Sequence, residues 1–170
     1  NIISISVLPV IGENKVGNFG DSYVLADEGS FVSEKGLVAY WPFDGNAEDV
    51  VGDNDMICDE LVCPMIVNND YDKLDLGSAY EFDGDDWIRN DNPTNLPLGN
   101  SPRTMVAWIK PQAYGGGNYN GIVAYGMGCP GHGSLLSIKD NGQLSQAFWC
   151  EGMAQTVGTG AILDDWSYAI

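Results

Sequence analysis

The sequence predicts an all-β fold, a two-sheet antiparallel β-sandwich, and three features predict it. Turn residues recur at short intervals, the runs between them are β-branched or alternating, and no stretch repeats its apolar residues at helical period. Glycine occurs 22 times and proline 8 times in 170 residues, with Asn and Asp crowded between the apolar runs. Length argues for one core. The chain divides into an N-terminal strand and connector over 1–35 and a main domain over 36–170.

Residues 1–11 read as a strand, rich in isoleucine and partly alternating, with Pro9 marking an edge or a strand end. Residues 12–35 are polar and glycine-rich and read as a connector. A strand over 37–43 ends at Asp44-Gly45-Asn46, a turn signal. An acidic loop over 48–55 and a short loop between Cys58 and Cys63 follow. The next strand, 79–82, closes on Asp83-Gly84, and Trp87-Ile88 begins another. Pro93, Pro97, Gly99 and Pro102 mark a long turn region. Over 104–109 alternation is strict, with Met105, Ala107 and Ile109 on one side and Thr104, Val106 and Trp108 on the other. A strand over 122–125 precedes a hairpin, 134–138 and 143–148, around Lys139-Asp140-Asn141-Gly142.

The ends carry two further expectations. The sequence opens on Asn1, not Met, which predicts a segment removed upstream, the remainder of an anchor or assembly element. It closes on Asp164-Asp165-Trp166-Ser167-Tyr168-Ala169-Ile170, which reads as the start of a core strand. The sandwich is therefore expected to be incomplete at the C-terminus, with further residues or another chain covering that edge.

A net charge of −17 repels phosphate backbones and anionic lipid, which argues against nucleic acid as a partner. The apolar N-terminal run is too short to cross a bilayer, so direct membrane insertion is not expected from these residues. Cys58, Cys63, Cys129 and Cys150 form an even set in an acidic β-chain, which predicts disulfides and an extracellular or cell-surface location. Three pairings are open; proximity favours Cys58 with Cys63 and Cys129 with Cys150. A zinc site on the four thiolates is disfavoured, because the later two lack the close spacing of a zinc knuckle.

Three motifs in order resemble the laminin-G-like jelly-roll family of the concanavalin A-like lectin and glucanase superfamily. They are Gly36-Leu37-Val38-Ala39-Tyr40-Trp41-Pro42-Phe43-Asp44-Gly45-Asn46, then Ala79-Tyr80-Glu81-Phe82-Asp83-Gly84-Asp85-Asp86-Trp87-Ile88, then Arg103-Thr104-Met105-Val106-Ala107-Trp108-Ile109-Lys110-Pro111. The resemblance covers roughly 36–170 and implies a jelly roll whose Trp41, Phe82 and Trp108 fill the gap between two sheets. It also implies a structural calcium held by rim loops, and the acid-dense loop containing Asp44, Asn46, Asp49 and Asp53 supplies the hard oxygen donors that Ca²⁺ takes. Solvated turn residues are the bland alternative for the same positions.

The function these readings favour is an extracellular binding or adhesion module, calcium-stabilised, not an enzyme. It would recognise glycan or a cell-surface protein through rim loops. Tyr114, Asn118 and Tyr119 in a glycine-rich loop are candidates to stack on and hydrogen-bond a sugar. A structural subunit that self-assembles into surface filaments through its N-terminal strand is the alternative. A glycoside hydrolase is less favoured: Glu81, Asp83 and Asp85 lie at i, i+2 and i+4, but Gly84 interrupts the strand that would hold them on one face. His132, the lone histidine, reads as a turn residue beside Ser134.

Overall fold

The computed structural model describes residues 3–7, 10–12, 36–68, 77–97, 101–115, 120–126, 133–148, 153–156, 160, 163–165 and 167–169. Over these residues the chain is strand and turn, with no helix. In order the strands are β1 (Ile3–Val7), β2 (Val10–Gly12), β3 (Leu37–Ala39), β4 (Met65–Asn68), β5 (Ser78–Phe82) and β6 (Arg103–Met105). They continue with β7 (Ala107–Pro111), β8 (Asn120–Tyr125), β9 (Ser134–Ile138), β10 (Leu144–Phe148), β11 (Met153–Thr156) and β12 (Ser167–Ala169).

Three antiparallel sheets result, in the orders β12-β7-β1-β5-β4, β11-β10-β9-β8 and β3-β2-β6. The β9–β10 hairpin follows the expected one closely. Leu144 lies opposite Ile138 and Phe148 opposite Ser134. Gly142 turns the corner with φ of 82°, a backbone angle that costs glycine nothing. The first dozen residues are less predictable from sequence. β1 lies between β5 and β7, and β2 between β3 and β6, so both are central strands.

The strand expected over 104–109 is two strands in different sheets. β6 pairs with β2 and β7 with β1, so the same two stretches run side by side through a corner. The β1–β7 register shifts between Ile5 and Val7, as a bulge that bends a strand does. The strand expected over 37–43 is also shorter, stopping at Ala39. The Tyr40 N–H donates to the Asp49 carboxylate at 2.9 Å, not to a neighbouring strand, and Phe43 adopts a left-handed backbone with φ of 58°.

One apolar cluster takes side chains from all three sheets: Ala39 and Met105 from the three-stranded sheet, Tyr80, Ala107, Ile109 and Ala169 from the five-stranded, and Ile122, Leu136, Ile138 and Leu144 from the four-stranded. Trp41 and Phe43 complete it, and the Phe43 ring meets Tyr80 edge-on at 5.2 Å. Phe82 packs against the cluster half-buried. Trp108 corrects the expectation that it fills the core. Its neighbours Ala107 and Ile109 are wholly buried, and strand alternation puts Trp108, half-buried, on the opposite face.

Burial separates two substitutions. Ile109→Ala, at a site with no exposure, should lower the unfolding free energy by about 2–5 kcal/mol in a urea titration. Leu61→Ala, at a residue 97 % exposed, should change it by less than about 0.5 kcal/mol.

Candidate functional site

The acidic loop after β3 is organised around one carboxylate. Asp49 is buried, and its Oδ1 accepts the backbone N–H groups of Tyr40, Val51 and Gly52 at 2.9, 3.1 and 3.0 Å. Its Oδ2 accepts the backbone N–H and the side-chain amide of Asn54 at 3.2 and 3.1 Å. A β-carbon at Gly52 would fall 2.8 Å from Oδ2 and 3.0 Å from the Val38 carbonyl, so the loop closes only around glycine. Asn54, also buried, passes the order outward: its carbonyl accepts the Trp41 indole N–H at 2.8 Å, and its Oδ1 accepts the Thr94 N–H at 2.7 Å. Burial raises the Asp49 pKa, but the hydrogen bonds from Tyr40, Gly52, Val51 and Asn54 outweigh it and hold the carboxyl below its ordinary value.

A second feature stands where the loops after β3 and β5 meet. Ile57 and Arg89 exchange two backbone hydrogen bonds, of 2.7 and 2.8 Å, and the Trp87 N–H donates to the Val62 carbonyl at 3.0 Å. Cys58 and Cys63 are joined by a disulfide, closing the short loop between these contacts. With extended backbone over 87–89, alternation turns Ile88 toward the core and leaves Trp87 and Arg89 outside. The Arg89 guanidinium lies over the Trp87 ring at 4.3 Å from its centroid. It also donates to Asp91 at 2.6 Å and to Asp59 at 3.4 Å. Trp87 remains 37 % exposed, and Ile57 and Leu61, on the segment paired with 87–89, are exposed as well.

The residues expected to hold calcium are used differently from one another. Asp44 accepts the Ser78 N–H and hydroxyl at 3.1 and 3.2 Å, tying the loop to β5. Asn46 accepts the Glu48 N–H, and Asp53 is exposed. Asp49 has both oxygens turned to N–H donors, so it fits a metal ligand poorly. Among the described residues no three Asp, Glu, His or Cys side chains converge on a point where they could hold a metal ion.

Of the residues expected to touch sugar, Tyr114 packs half-buried against the core cluster, and its ring lies where a β-carbon on Gly142 would be, 2.6 Å away. Asn118, Tyr119 and His132 lie outside the described residues, as do Cys129 and Cys150. Glu81 accepts a hydrogen bond from Gln112 at 3.3 Å. Asp83 and Asp85 belong to an exposed turn in which Asp83 accepts the Asp85 N–H. Arg103 bridges the Ser101 carbonyl and the buried Ser134 hydroxyl and faces the Tyr125 ring. Burial raises the Tyr125 phenol, and the Arg103 charge offsets part of the rise.

The Trp87 face was missed by reading 87–88 only as the start of a strand. Period two, carried one residue further, places Trp87 and Arg89 together opposite Ile88. The Cys58–Cys63 disulfide points to an oxidising environment, and no helix of the described residues is long and apolar enough to cross a membrane. No protein-family profile, characterised protein or solved structure matches the chain.

The Asp49 network makes its own prediction. Asp49→Asn turns an amide donor toward groups that already donate, and should lower stability by about 2 kcal/mol or more in denaturant titrations at neutral pH. Because the folded-state pKa lies below the unfolded one, the Asp49 contribution is complete above the ordinary carboxylate value near pH ~4 and disappears as pH falls through the depressed folded value. Acid titration of stability should therefore be shallower in Asp49→Asn than in the parent.

Proposed function

We propose that this chain is a laminin-G-like jelly-roll β-sandwich acting as a secreted or cell-surface binding and adhesion module, with rim loops as its contact surface and no catalytic role. The observation that carries this reading is the bracing of the loops after β3 and β5. Backbone hydrogen bonds and the Asn54–Thr94 contact hold them to each other, a disulfide closes the first of them on itself, and Trp87, Ile57 and Leu61 are exposed to water. A rigid frame presenting exposed aromatic and aliphatic groups suits recognition. The sandwich reading draws on the single cluster shared by the sheets and on the three ordered motifs.

Glycan is the default ligand, by resemblance. The calcium part of the proposal rests on resemblance and on the acid density of the loop holding Asp44, Asn46 and Asp53. A glycan array with and without chelator tests both. Retention of one glycan class, reduced by chelator, is the expected outcome. An array on which nothing is retained removes the glycan assignment, and a melting curve unchanged by chelator removes the calcium.

The central placement of β1 and β2 favours one second reading, a filament subunit whose N-terminal strand inserts into the next copy. Ser4 lies opposite Glu81 in the β1–β5 register. Mixing Ser4→Cys protein with Glu81→Cys protein under oxidising conditions should then yield covalent dimers of one copy of each. Formation of the bond only within the double variant would confine the strand to its own chain.

A further inference from the structure

The outward face of residues 57, 87 and 89 has a chemistry of its own. The structure already shows what the Trp87 indole accepts: a guanidinium rests on it at 4.3 Å, flanked by the carboxylates of Asp91 and Asp59. One cation is thus met by two anions. The preceding turn adds Asp83 and Asp85, both exposed, in a chain of net charge −17. Such a surface repels anions and draws cations. An indole beside carboxylates holds an ammonium or guanidinium by ring quadrupole and charge together.

The face is also apolar in a way that simple solvation does not explain. Leu61 is 97 % exposed at the tip of the disulfide-closed loop, one residue from the carbonyl that accepts the Trp87 N–H, and Ile57 is 55 % exposed opposite Arg89. Three backbone hydrogen bonds and the disulfide fix the backbone that carries these side chains, so little backbone ordering attends binding.

We propose that the Trp87 face, with Asp59, Asp91, Leu61 and Ile57, is the docking site for a basic segment of a partner protein. A lysine or arginine of that segment lies against the Trp87 indole, and a neighbouring aliphatic side chain covers Leu61. The proposal rests on the reading of the chain as a binding module and names the partner's chemistry.

The test uses the full chain and a fluorescein-labelled peptide of alternating lysine and leucine, with a glutamate–leucine peptide as control, read by anisotropy at low salt. The parent protein should bind the lysine peptide and not the glutamate one. Trp87→Ala leaves the net charge untouched and should weaken binding about tenfold. Leu61→Ser should weaken it about threefold. Asp140→Asn, which removes one exposed charge from the β9–β10 turn, should change it less than twofold. Equal binding by the parent, Trp87→Ala and Leu61→Ser overturns the proposal, as does a loss in Asp140→Asn matching that in Trp87→Ala, because attraction is then general acidity. Neutral glycans retained by the parent and lost in Trp87→Ala, with peptide binding unmoved, would make the face a saccharide site and leave the binding-module reading standing. Absence of both peptide and glycan binding overturns both.

Discussion

The described structure depends most on one buried carboxylate and the donors that surround it. A charge out of water must be met by hydrogen bonds, or it neutralises or stays at the surface. Asp49 is met by five N–H groups drawn from Tyr40, Val51, Gly52 and Asn54. Satisfying it decides the path of the chain over 40–54. Tyr40 leaves the strand ladder, and Asn54 comes to lie where it accepts the Trp41 indole N–H. Two large aromatics, Trp41 and Phe43, then enter the core on the same side as Ala39, keeping the alternation of β3 although the ladder has ended.

The same network reaches the surface. Asn54 receives Thr94, and the chain over 87–97 is thereby held to the loop after β3, where Ile57 and Val62 add their own backbone bonds. The aromatic–guanidinium face at Trp87 and Arg89 is a consequence of that bracing. It combines groups that a free loop would let move apart. Exposed ion pairs such as those of Arg89 with Asp59 and Asp91 add little to stability. Their interest lies in the charge they leave at the surface, where the carboxylates outnumber the cation.

Most strands were legible because alternation and turn chemistry are local. The β9–β10 hairpin followed from Asn141-Gly142 between two apolar runs, and Met105, Ala107 and Ile109 are buried as their spacing requires. Trp108 was misread because its size argued for the core more loudly than its parity argued against it. β4 and β11 went unread: short runs such as Met65–Asn68 become strands only through a partner, here β5. The candidate site was legible in kind and not in place. Acid density marked the loop holding Asp44, Asn46, Asp49 and Asp53, but composition does not say which acid turns inward.

From sequence alone came the all-β class, the close Cys58–Cys63 pairing, the acidic character, and the positions of the principal turns. Each is a property of neighbouring residues or of the whole composition, so no knowledge of distant contacts was needed. Tertiary structure decided that residues 3–7 and 10–12 supply central strands of two sheets, that the strand over 104–109 divides at a corner, that Asp49 is sealed by donors, and that Trp87 meets Arg89 opposite Ile57. These depend on which segments lie side by side across tens of residues, and the free energy of that choice resides in shared burial and in hydrogen bonds between segments far apart in the chain.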